Sequence, residues 1–355
     1  MKIYAVIMAG GVGSRFWPRS RERKPKQLIN IFGENSLIRN TVNRLKGLVP
    51  DENIFIITNK FHKEEILNQL ENINPDNVIA EPVGRNTAPC ILLASKVIYQ
   101  LDKDSVCLVL PADHLIKEEE HFRETLQKAA EYAYSSENLL TIGIAPTRPE
   151  TGYGYIQIES KENSPRIHPV KTFAEKPNYA TAVRFLESGD FYWNSGMFIW
   201  KTEVILQELE KHLAELYREF KDLVLPASDP GFETSVESIY SSIRGISIDY
   251  GVMEKSEKVS LIKSNFIWSD VGSWEEVYQL SEKNDSGNVF EGTVYADSTL
   301  DSFVYSPEKF TAIIGAENLL VINTKDSLLI CRRDKAQDVK KVVEYLKEHK
   351  LNDLV

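Results

Sequence analysis

Residues 5–18 have the sequence AVIMAGGVGSRFWP, and PKQ follows at residues 25–27. The apolar run from Ile3 to Met8 has the length and the branched side chains of a buried β-strand. Three glycines follow within four positions, and glycine lets the backbone adopt positive φ angles and turn its N–H groups towards an anion. Arg15 and Lys26 add two full positive charges, so this stretch predicts a phosphate-binding site at the end of the first strand.

The glycine loop differs from the two common phosphate-binding motifs. No Gly-Lys-Ser/Thr follows at the Walker spacing, and Phe16 stands where the dinucleotide fingerprint has its third glycine. Pro18 and Pro25 disfavour a helix that starts directly after the loop. The alternative is an ordinary glycine turn, and the two nearby cations favour the phosphate site over it.

Composition narrows the class of protein. The chain has 355 residues and a net charge of −10, and no basic block offsets that charge, so nucleic acid is disfavoured as a partner. No apolar run approaches the ~20 residues that span a bilayer, and the N-terminus lacks the features of a signal peptide. Cys90, Cys107 and Cys331 have no disulfide or zinc spacing, and the first two are predicted to be buried thiols. A cytoplasmic location is therefore expected.

The first half of the chain alternates between strand and helix patterns. Strands are predicted at residues 54–58, 77–80, 106–110 and 139–143, and helices at residues 37–48, 60–70, 88–101 and 122–134, the third capped by Asn86 or Thr87. Repeated strand–helix units with buried strands predict an α/β fold with a mainly parallel sheet. Ligands bind such sheets at the carboxyl ends of the strands, so the glycine loop, Glu81-Pro82 and Asp113 are expected to converge.

The second half has a different texture. Strands interrupted by glycine or polar residues are predicted at residues 152–158, 170–177 and 192–200, as an insertion that extends the same sheet, and residues 202–241 are predicted to be mainly helical. From residue 288 short strands recur about every ten residues, which indicates a small all-β unit. A closing helix over residues 334–349 is predicted to serve packing. We therefore predict a domain at 1–285 and a C-terminal unit at 286–355.

Two aspartates are candidate metal ligands. Asp113 follows a buried strand, and Asp270 lies in the segment WSDVGSW at residues 268–274, where a helix is predicted from Ser273. A nucleoside triphosphate and a phosphate monoester carry about six negative charges, and two unit charges 4 Å apart repel by about 4 kcal/mol at an effective dielectric of 20. Arg15 and Lys26 cannot offset several such pairs, so Mg²⁺ bound by carboxylates and phosphate oxygens is expected. The alternative is that Asp270 only shapes its turn.

Other polar residues predict contacts with a hydroxylated, phosphorylated ligand. Lys176 and Arg85 are further cations for phosphate, and Glu175 can accept hydrogen bonds from sugar hydroxyls. Asn194 interrupts an aromatic strand, where unpaired polar atoms would be costly. Glu81 could accept the two donors on the Watson–Crick edge of guanine, or it could be a turn residue paired with Arg85.

Taken together, these motifs resemble the sugar-1-phosphate nucleotidyltransferases, and within them the guanylyltransferases that act on mannose 1-phosphate. The resemblance is carried by nine segments in the family's order, at residues 10–18, 25–27, 81–89, 111–114, 151–156, 173–177, 193–198, 249–254 and 269–274. It implies a Rossmann-like domain with a mixed sheet, a left-handed β-helix-like C-terminal unit, a homodimer, and Mg²⁺-dependent formation of GDP-mannose and pyrophosphate from GTP and mannose 1-phosphate. Many bacterial relatives carry a further cupin-like isomerase domain, and the length of this chain leads us to expect no isomerase activity.

The resemblance also implies roles for particular residues. Arg15, Lys26, Lys176 and Asp113 would be catalytic, with Asp113 and Asp270 as metal ligands. The nucleotide would be bound by Ala9, Gly10, Gly11, Gly13, Ser14, Glu81, Pro82, Gly84, Asn86 and Thr87, with the amides from Gly11 to Ser14, Val12 included, facing the leaving pyrophosphate. The sugar would be lined by Gly154, Glu175, Asn194 and Asp249. Two alternatives remain open: a guanylyltransferase for another sugar 1-phosphate, such as a heptose or fucose, and a non-catalytic nucleotide-sugar sensor.

Overall fold

The computed structural model describes residues 1–11, 13–159 and 167–355, so the predicted role of the Val12 amide lies outside the described residues. The chain divides into two compact units. The first unit comprises residues 1–10, 41–112 and 116–268, and the second comprises residues 11–40, 113–115 and 269–355. The chain therefore passes between the units several times, and the predicted boundary at residue 285 stays a prediction.

The first unit is built on a nine-stranded mixed sheet, which confirms the predicted α/β class. Its strands are β1 (Lys2–Ala9), β2 (Ile54–Asn59), β3 (Val78–Glu81), β4 (Ser105–Pro111), β6 (Leu139–Ile144), β7 (Tyr155–Ile158), β8 (Ile167–Ala174), β9 (Phe191–Lys201) and β10 (Val259–Lys263). Two-residue strands, β5 (Leu115–Ile116) and β11 (Trp268–Ser269), lie where the chain changes unit.

The strand order is β3-β2-β1-β4-β9-β6-β10-β8-β7. Strands β1 to β4 are mutually parallel, whereas β9 runs antiparallel to its neighbours β4 and β6. The predicted middle strands β7, β8 and β9 thus extend the same sheet, as expected. Because β1 and β3 are parallel to β2 between them, their carboxyl ends bring Ala9 and Glu81 to one edge of the sheet.

Helices cover this sheet because their apolar sides are buried against it. They are α2 (Lys63–Gln69), α3 (Thr87–Leu101), α4 (Glu119–Ser136), α5 (Tyr179–Ser188), α6 (Thr202–His212), α7 (Ala214–Glu219) and α8 (Phe232–Ser242). Helix α1 (Leu37–Asn43) belongs to both units, because the chain passes from the second unit back to the first within it. Helix α3 begins as predicted, since the Asn86 side chain accepts a hydrogen bond from the Thr87 N–H at 2.9 Å. None of the helices in the described residues is long and apolar enough to cross a membrane.

The second unit contains a four-stranded sheet of β12 (Val289–Asp297), β13 (Phe303–Ile314), β14 (Leu319–Asn323) and β15 (Leu328–Arg332), of which the first three are parallel. It also holds α9 (Trp274–Leu280) and α10 (Lys340–Glu348). Helix α10 packs through Leu346 onto a core that includes Phe16 and Trp274, which confirms its predicted packing role.

Three predicted elements differ from the structure. Helix α1 ends at Asn43. After it the chain forms tighter 3₁₀-type turns, such as the one closed by the hydrogen bond from the Leu48 N–H to the Leu45 carbonyl. Strand β13 is one element where the ten-residue rhythm predicts two strands, at residues 303–305 and 311–314. It passes through Pro307, beside a bulge where Gly292 has φ +114°. The closing helix starts with a tighter 3₁₀ segment over Arg333–Val339. Cys90 and Cys107 are buried free thiols, as predicted.

Candidate active site

The glycine loop opens the second unit and packs closely against the segment that carries Lys26. Gly13 has φ +60°, and a Cβ at this position would lie 2.4 Å from Lys26 Cβ. Gln27 Nε2 donates a hydrogen bond to the Gly11 carbonyl at 2.9 Å. Only glycine permits both the left-handed backbone and this close approach, so the loop is held in one position beside Lys26.

The loop forms one wall of a cavity of about 270 Å³ within the second unit. Six residues predicted as site residues or metal ligands line it together with four others: Gly13, Ser14, Arg15, Lys26, Asp113 and Asp270, with Phe16, His114, Val271 and Gly272. The structure therefore brings together Arg15 and Lys26, two of the four predicted phosphate-binding cations, and both predicted metal-binding aspartates. The cavity joins residues that lie far apart in the sequence.

Lys26 links the two aspartates. Its Nζ donates to Asp113 Oδ2 at 2.9 Å and also to the backbone carbonyl of Asp270, while only 5 % of Lys26 is exposed. Burial favours the neutral form of the Asp113 carboxyl, but the charges of Lys26 and then His114 outweigh it and lower its pKa. Asp113 is therefore ionised at neutral pH and available to a cation.

Asp270 is held in a tight turn before α9. Val271, with φ +48°, donates its N–H to Ser269 Oγ at 2.9 Å. At the start of α9, Trp274 Nε1 donates to the Trp17 carbonyl at 3.2 Å, and its ring packs against Phe16 at 5.1 Å between centroids. Trp274 thus links this turn to the glycine loop, a role that no sequence signal identifies.

The oxygen atoms in this cavity fit a magnesium ion. Mg²⁺ is commonly held in proteins by one or two carboxylates, with phosphate oxygens and waters completing an octahedron. Asp113 supplies an ionised carboxylate, and Asp270 lines the same cavity. Within the described ranges no group of three or more His, Cys, Asp or Glu side chains could hold a metal alone, so the ion would need oxygen atoms from a ligand.

In the first unit, Glu81 is buried at the carboxyl end of β3, near Gly10. It is 5 % exposed, and its Oε1 accepts a hydrogen bond from the Tyr240 hydroxyl at 2.8 Å. Burial raises the pKa of Glu81 to about 7, and the Tyr240 hydrogen bond partly opposes this. Arg85 instead donates to the backbone carbonyl of Tyr240 at 3.3 Å, which contradicts the alternative of a Glu81–Arg85 pair.

The loop after Glu81 uses several predicted nucleotide-binding residues for its own structure. Asn86 caps α3, and Thr87 Oγ1 accepts a hydrogen bond from the Ile248 N–H at 2.8 Å. Pro82 and Gly84 lie between Glu81 and this cap, and a Cβ at Gly84 would meet nothing within 4 Å. The loop backbone is thus fixed at both ends, with open space at its glycine.

The predicted sugar-binding residues form a second group in the first unit. Asn194 Nδ2 donates to Asp249 Oδ1 at 2.7 Å, and Asn194 Oδ1 accepts from the Gly196 N–H at 3.1 Å. Gly154 lies so close to Glu175 that a Cβ would be 2.8 Å from Glu175 Oε2. These four predicted residues, Gly154, Glu175, Asn194 and Asp249, are therefore neighbours.

One carboxylate oxygen in this group lacks a protein partner. Glu175 Oε2 is buried and accepts no hydrogen bond from the described residues. Burial, and then the charge of Asp249, raise the pKa of Glu175, and burial also raises that of Asp249. Strand β8 ends at Ala174, before the predicted end at residue 177, and Lys176 has φ +46°. The side chains of Glu175 and Lys176 therefore need not point to opposite faces of the sheet, as they would within a strand. An unpaired buried acceptor of this kind suits a ligand hydroxyl.

Family models and curated relatives match most of this chain. Residues 4–287 match the family model described as nucleotidyl transferase, and residues 293–346 match that of a MannoseP isomerase/GMP-like beta-helix domain. The chain is 40 % identical over 354 residues to the mannose-1-phosphate guanylyltransferase of Klebsiella pneumoniae, covering 98 % of this chain and 74 % of that one. It is 38 % identical over 355 residues to the enzyme of that name from Escherichia coli K12, with coverages of 98 % and 74 %.

A solved structure is similar over nearly the whole chain. The crystal structure of mannose-1-phosphate geranyltransferase from Thermus thermophilus superimposes with a TM-score of 0.88 at 33 % identity. The match covers 98 % of this chain and 100 % of that one. The similarity therefore includes both the sheet with its helices and the C-terminal strands.

Proposed function

This chain belongs to the mannose-1-phosphate guanylyltransferase branch of the nucleotidyl transferase family, and on that premise we propose that it converts GTP and mannose 1-phosphate to GDP-mannose and pyrophosphate. The family-model matches and the similarity to curated relatives confirm the family, the fold class and the enzyme class that the sequence predicted. The observation that carries the proposal is the single cavity lined by Arg15, Lys26, Asp113 and Asp270. A sensor of nucleotide sugars would have no need for cations and metal ligands grouped in this way.

The cavity supplies what a leaving pyrophosphate requires. Backbone amides at Gly13 and Ser14 provide partial positive charge, and the exposed Arg15 provides a full charge that can meet an incoming phosphate group. We assign the β- and γ-phosphates of GTP to this wall. The role of Lys26 in holding pyrophosphate requires its ammonium to leave Asp113, with which it is paired in the structure.

Asp113 and Asp270 would hold Mg²⁺ beside the α-phosphate. When bound, the ion would neutralise charge on the phosphate oxygens and orient them. The chain's own part is to keep Asp113 ionised through Lys26 and His114, and to fix Asp270 in its turn through Ser269.

Glu81 would select guanine. Its ionised carboxylate can accept from both N1–H and N2–H₂ of guanine, whereas adenine offers an acceptor at N1. Tyr240 orients the carboxylate through Oε1, and Oε2 and the second lone pair of Oε1 can accept from the base. The backbone at Pro82 and Gly84 and the capped residues Asn86 and Thr87 would shape the rest of the base and ribose site.

The sugar group in the first unit would bind mannose. Glu175 Oε2 is a buried acceptor without a protein partner among the described residues, and Asp249 fixes Asn194 by a 2.7 Å hydrogen bond. Gly154 lets the Glu175 carboxylate lie against its backbone, because a Cβ at this position would be 2.8 Å from Glu175 Oε2. Lys176 would orient the phosphate of the sugar.

The reaction needs no protein nucleophile or general base. An anionic oxygen of mannose 1-phosphate attacks the α-phosphorus of GTP, and the bond from that phosphorus to the oxygen bridging to the β-phosphate breaks. The electron pair leaves with pyrophosphate, so no proton has to move. Catalysis is then positioning of the substrates and stabilisation of charge by the residues that bind them. A homodimer remains a proposal that rests on the resemblance, and a cytoplasmic location remains one that rests on the composition and the cysteine spacing.

The proposal is tested by assaying pyrophosphate release from each nucleoside triphosphate with several sugar 1-phosphates in the presence of Mg²⁺. We expect GTP with mannose 1-phosphate to exceed every other pair. A higher rate with heptose or fucose 1-phosphate would support the other sugar specificity, and no release from any pair would support the sensor.

The metal assignment is tested by Asp113→Asn and Asp270→Asn. Each substitution should lower pyrophosphate release about 100-fold or more, because a metal ion supplies several kcal/mol of charge stabilisation. Asp285→Asn is the matched control, since Asp285 is exposed in the same unit and outside the cavity. Rates within a few-fold of the parent for both aspartate variants would refute the assignment.

A further inference from the structure

Lys26 occupies a carboxylate oxygen of Asp113, one of the two residues that would hold the proposed metal. Its Nζ lies 2.9 Å from Asp113 Oδ2 and also donates to the Asp270 carbonyl. We propose that Lys26 is an internal counter-cation that excludes free divalent metal from these oxygens until the phosphates of a nucleotide draw the ammonium away. This inference rests on the proposed metal site at Asp113 and Asp270.

The two cations cannot share this position. Mg²⁺ binds oxygen at about 2.0–2.1 Å, so an ion held by Asp113 Oδ2 would lie close to the ammonium that donates to the same oxygen at 2.9 Å. The other oxygen of the carboxylate faces His114, whose Nε2 lies 3.9 Å from Asp113 Oδ1. Binding of the metal through Asp113 Oδ2 therefore requires Lys26 to move.

The stem of Lys26 holds the ammonium in place. The residue is 5 % exposed, and its backbone and Cβ lie against the surface of Gly13. Its Nζ also lies 5.6 Å from the centre of the Phe16 ring, within the range of a cation–π interaction. A side chain enclosed in this way does not drift into solvent, so it leaves Asp113 only for another anion in the same cavity.

The phosphates of a nucleotide provide that anion. They would enter a cavity that Lys26 already lines, next to Ser14 and Arg15. The ammonium can turn to a phosphate oxygen, and Asp113 Oδ2 then becomes available to the metal that arrives with the nucleotide. The metal and the nucleotide would thus bind together, and metal alone would bind weakly.

The test measures binding of Mn²⁺ alone to the full chain, without nucleotide, by the electron paramagnetic resonance signal of the free ion. Lys26→Met removes the charge and keeps the length of the side chain, and Lys26→Gln is a second variant in case the first does not fold. Lys24→Met is the matched control, because Lys24 is exposed nearby in the same loop and its removal changes the net charge equally. Asp113→Asn, added to the Lys26 variant, identifies the site.

We expect Lys26→Met or Lys26→Gln to bind Mn²⁺ at least tenfold more tightly than the parent, Lys24→Met to stay within twofold, and the added Asp113→Asn to abolish the gain. An affinity no higher than that of the parent, including no binding by either protein, would overturn the inference, as would an equal gain for Lys24→Met. Release of pyrophosphate by the parent with GTP and mannose 1-phosphate decides the proposed function separately, so failure of one does not imply failure of the other.

Discussion

Replacing Glu81 with glutamine should remove a pH dependence from GTP binding. The pKa of Glu81 is raised to about 7 by burial, so its ionised fraction rises from about one tenth at pH 6 to about nine tenths at pH 8. If the carboxylate accepts from guanine, the KM of the parent for GTP should fall as the pH rises through 7. Protons on GTP itself affect both proteins equally, so the ratio of the two KM values isolates Glu81.

The size of the effect follows from the hydrogen bonds involved. A hydrogen bond to a charged group contributes about 1.5–3 kcal/mol, which corresponds to roughly a 10- to 150-fold higher KM for Glu81→Gln at pH 8. The ratio of KM for the variant to KM for the parent should therefore increase about tenfold between pH 6 and pH 8. The groups that face Glu81 are the Tyr240 hydroxyl and the Cys90 thiol, and the pKa values of both are raised by burial, so both stay neutral in this range.

The assay is steady-state pyrophosphate release at saturating mannose 1-phosphate, with GTP varied at each pH. Glu71→Gln is the control, because Glu71 is an exposed glutamate in the same unit. Tyr240→Phe should move the transition to higher pH, since it removes a hydrogen bond that favours the ionised form. A ratio that stays constant from pH 6 to pH 8, with an unchanged KM for Glu81→Gln, would refute the role of Glu81 in reading the base.

Two further predictions concern the loop and the sugar group. Gly13→Ala should lower the free energy of unfolding in denaturant by about 1–2 kcal/mol more than Gly33→Ala does. Both glycines have positive φ, but only a Cβ at Gly13 would clash with Lys26. Equal losses of unfolding free energy would show that the loop can move away from Lys26. Asp249→Asn should raise the KM for mannose 1-phosphate and leave the KM for GTP unchanged, because it weakens the hydrogen bond that orients Asn194. An equal rise in both KM values would contradict the assignment of Asp249 to the sugar site.

Local sequence signals are sufficient for much of the fold. Strand β1 is a continuous apolar run, and α3 has a polar cap followed by apolar residues at helical spacing, so both are predicted with nearly correct ends. The predicted end of α1 is wrong because nothing in the sequence from 44 to 48 breaks a helix except Gly47. Strand β13 is predicted as two strand-like runs, at residues 303–305 and 311–314, whereas the irregularity beside Gly292 lets Pro307 lie within one strand.

Residue types predict the candidate site, but they do not predict its internal contacts. Lys26 and Asp113 are expected to serve different groups, phosphate and metal, yet they form an ion pair. Tyr240 is 159 positions from Glu81 and carries no motif, so only the fold identifies it as the partner of that carboxylate. Pairings of this kind depend on long-range packing, which a pattern within one segment cannot report.

The central claim is that GMP passes from GTP to mannose 1-phosphate. It is tested most directly by following the label from GTP that carries ³²P at either the α- or the γ-position, with mannose 1-phosphate and Mg²⁺ present. We predict that the α-label appears in the sugar nucleotide and the γ-label in pyrophosphate. Label from the γ-position in a sugar product, or from the α-position in free GMP alone, would contradict the claim.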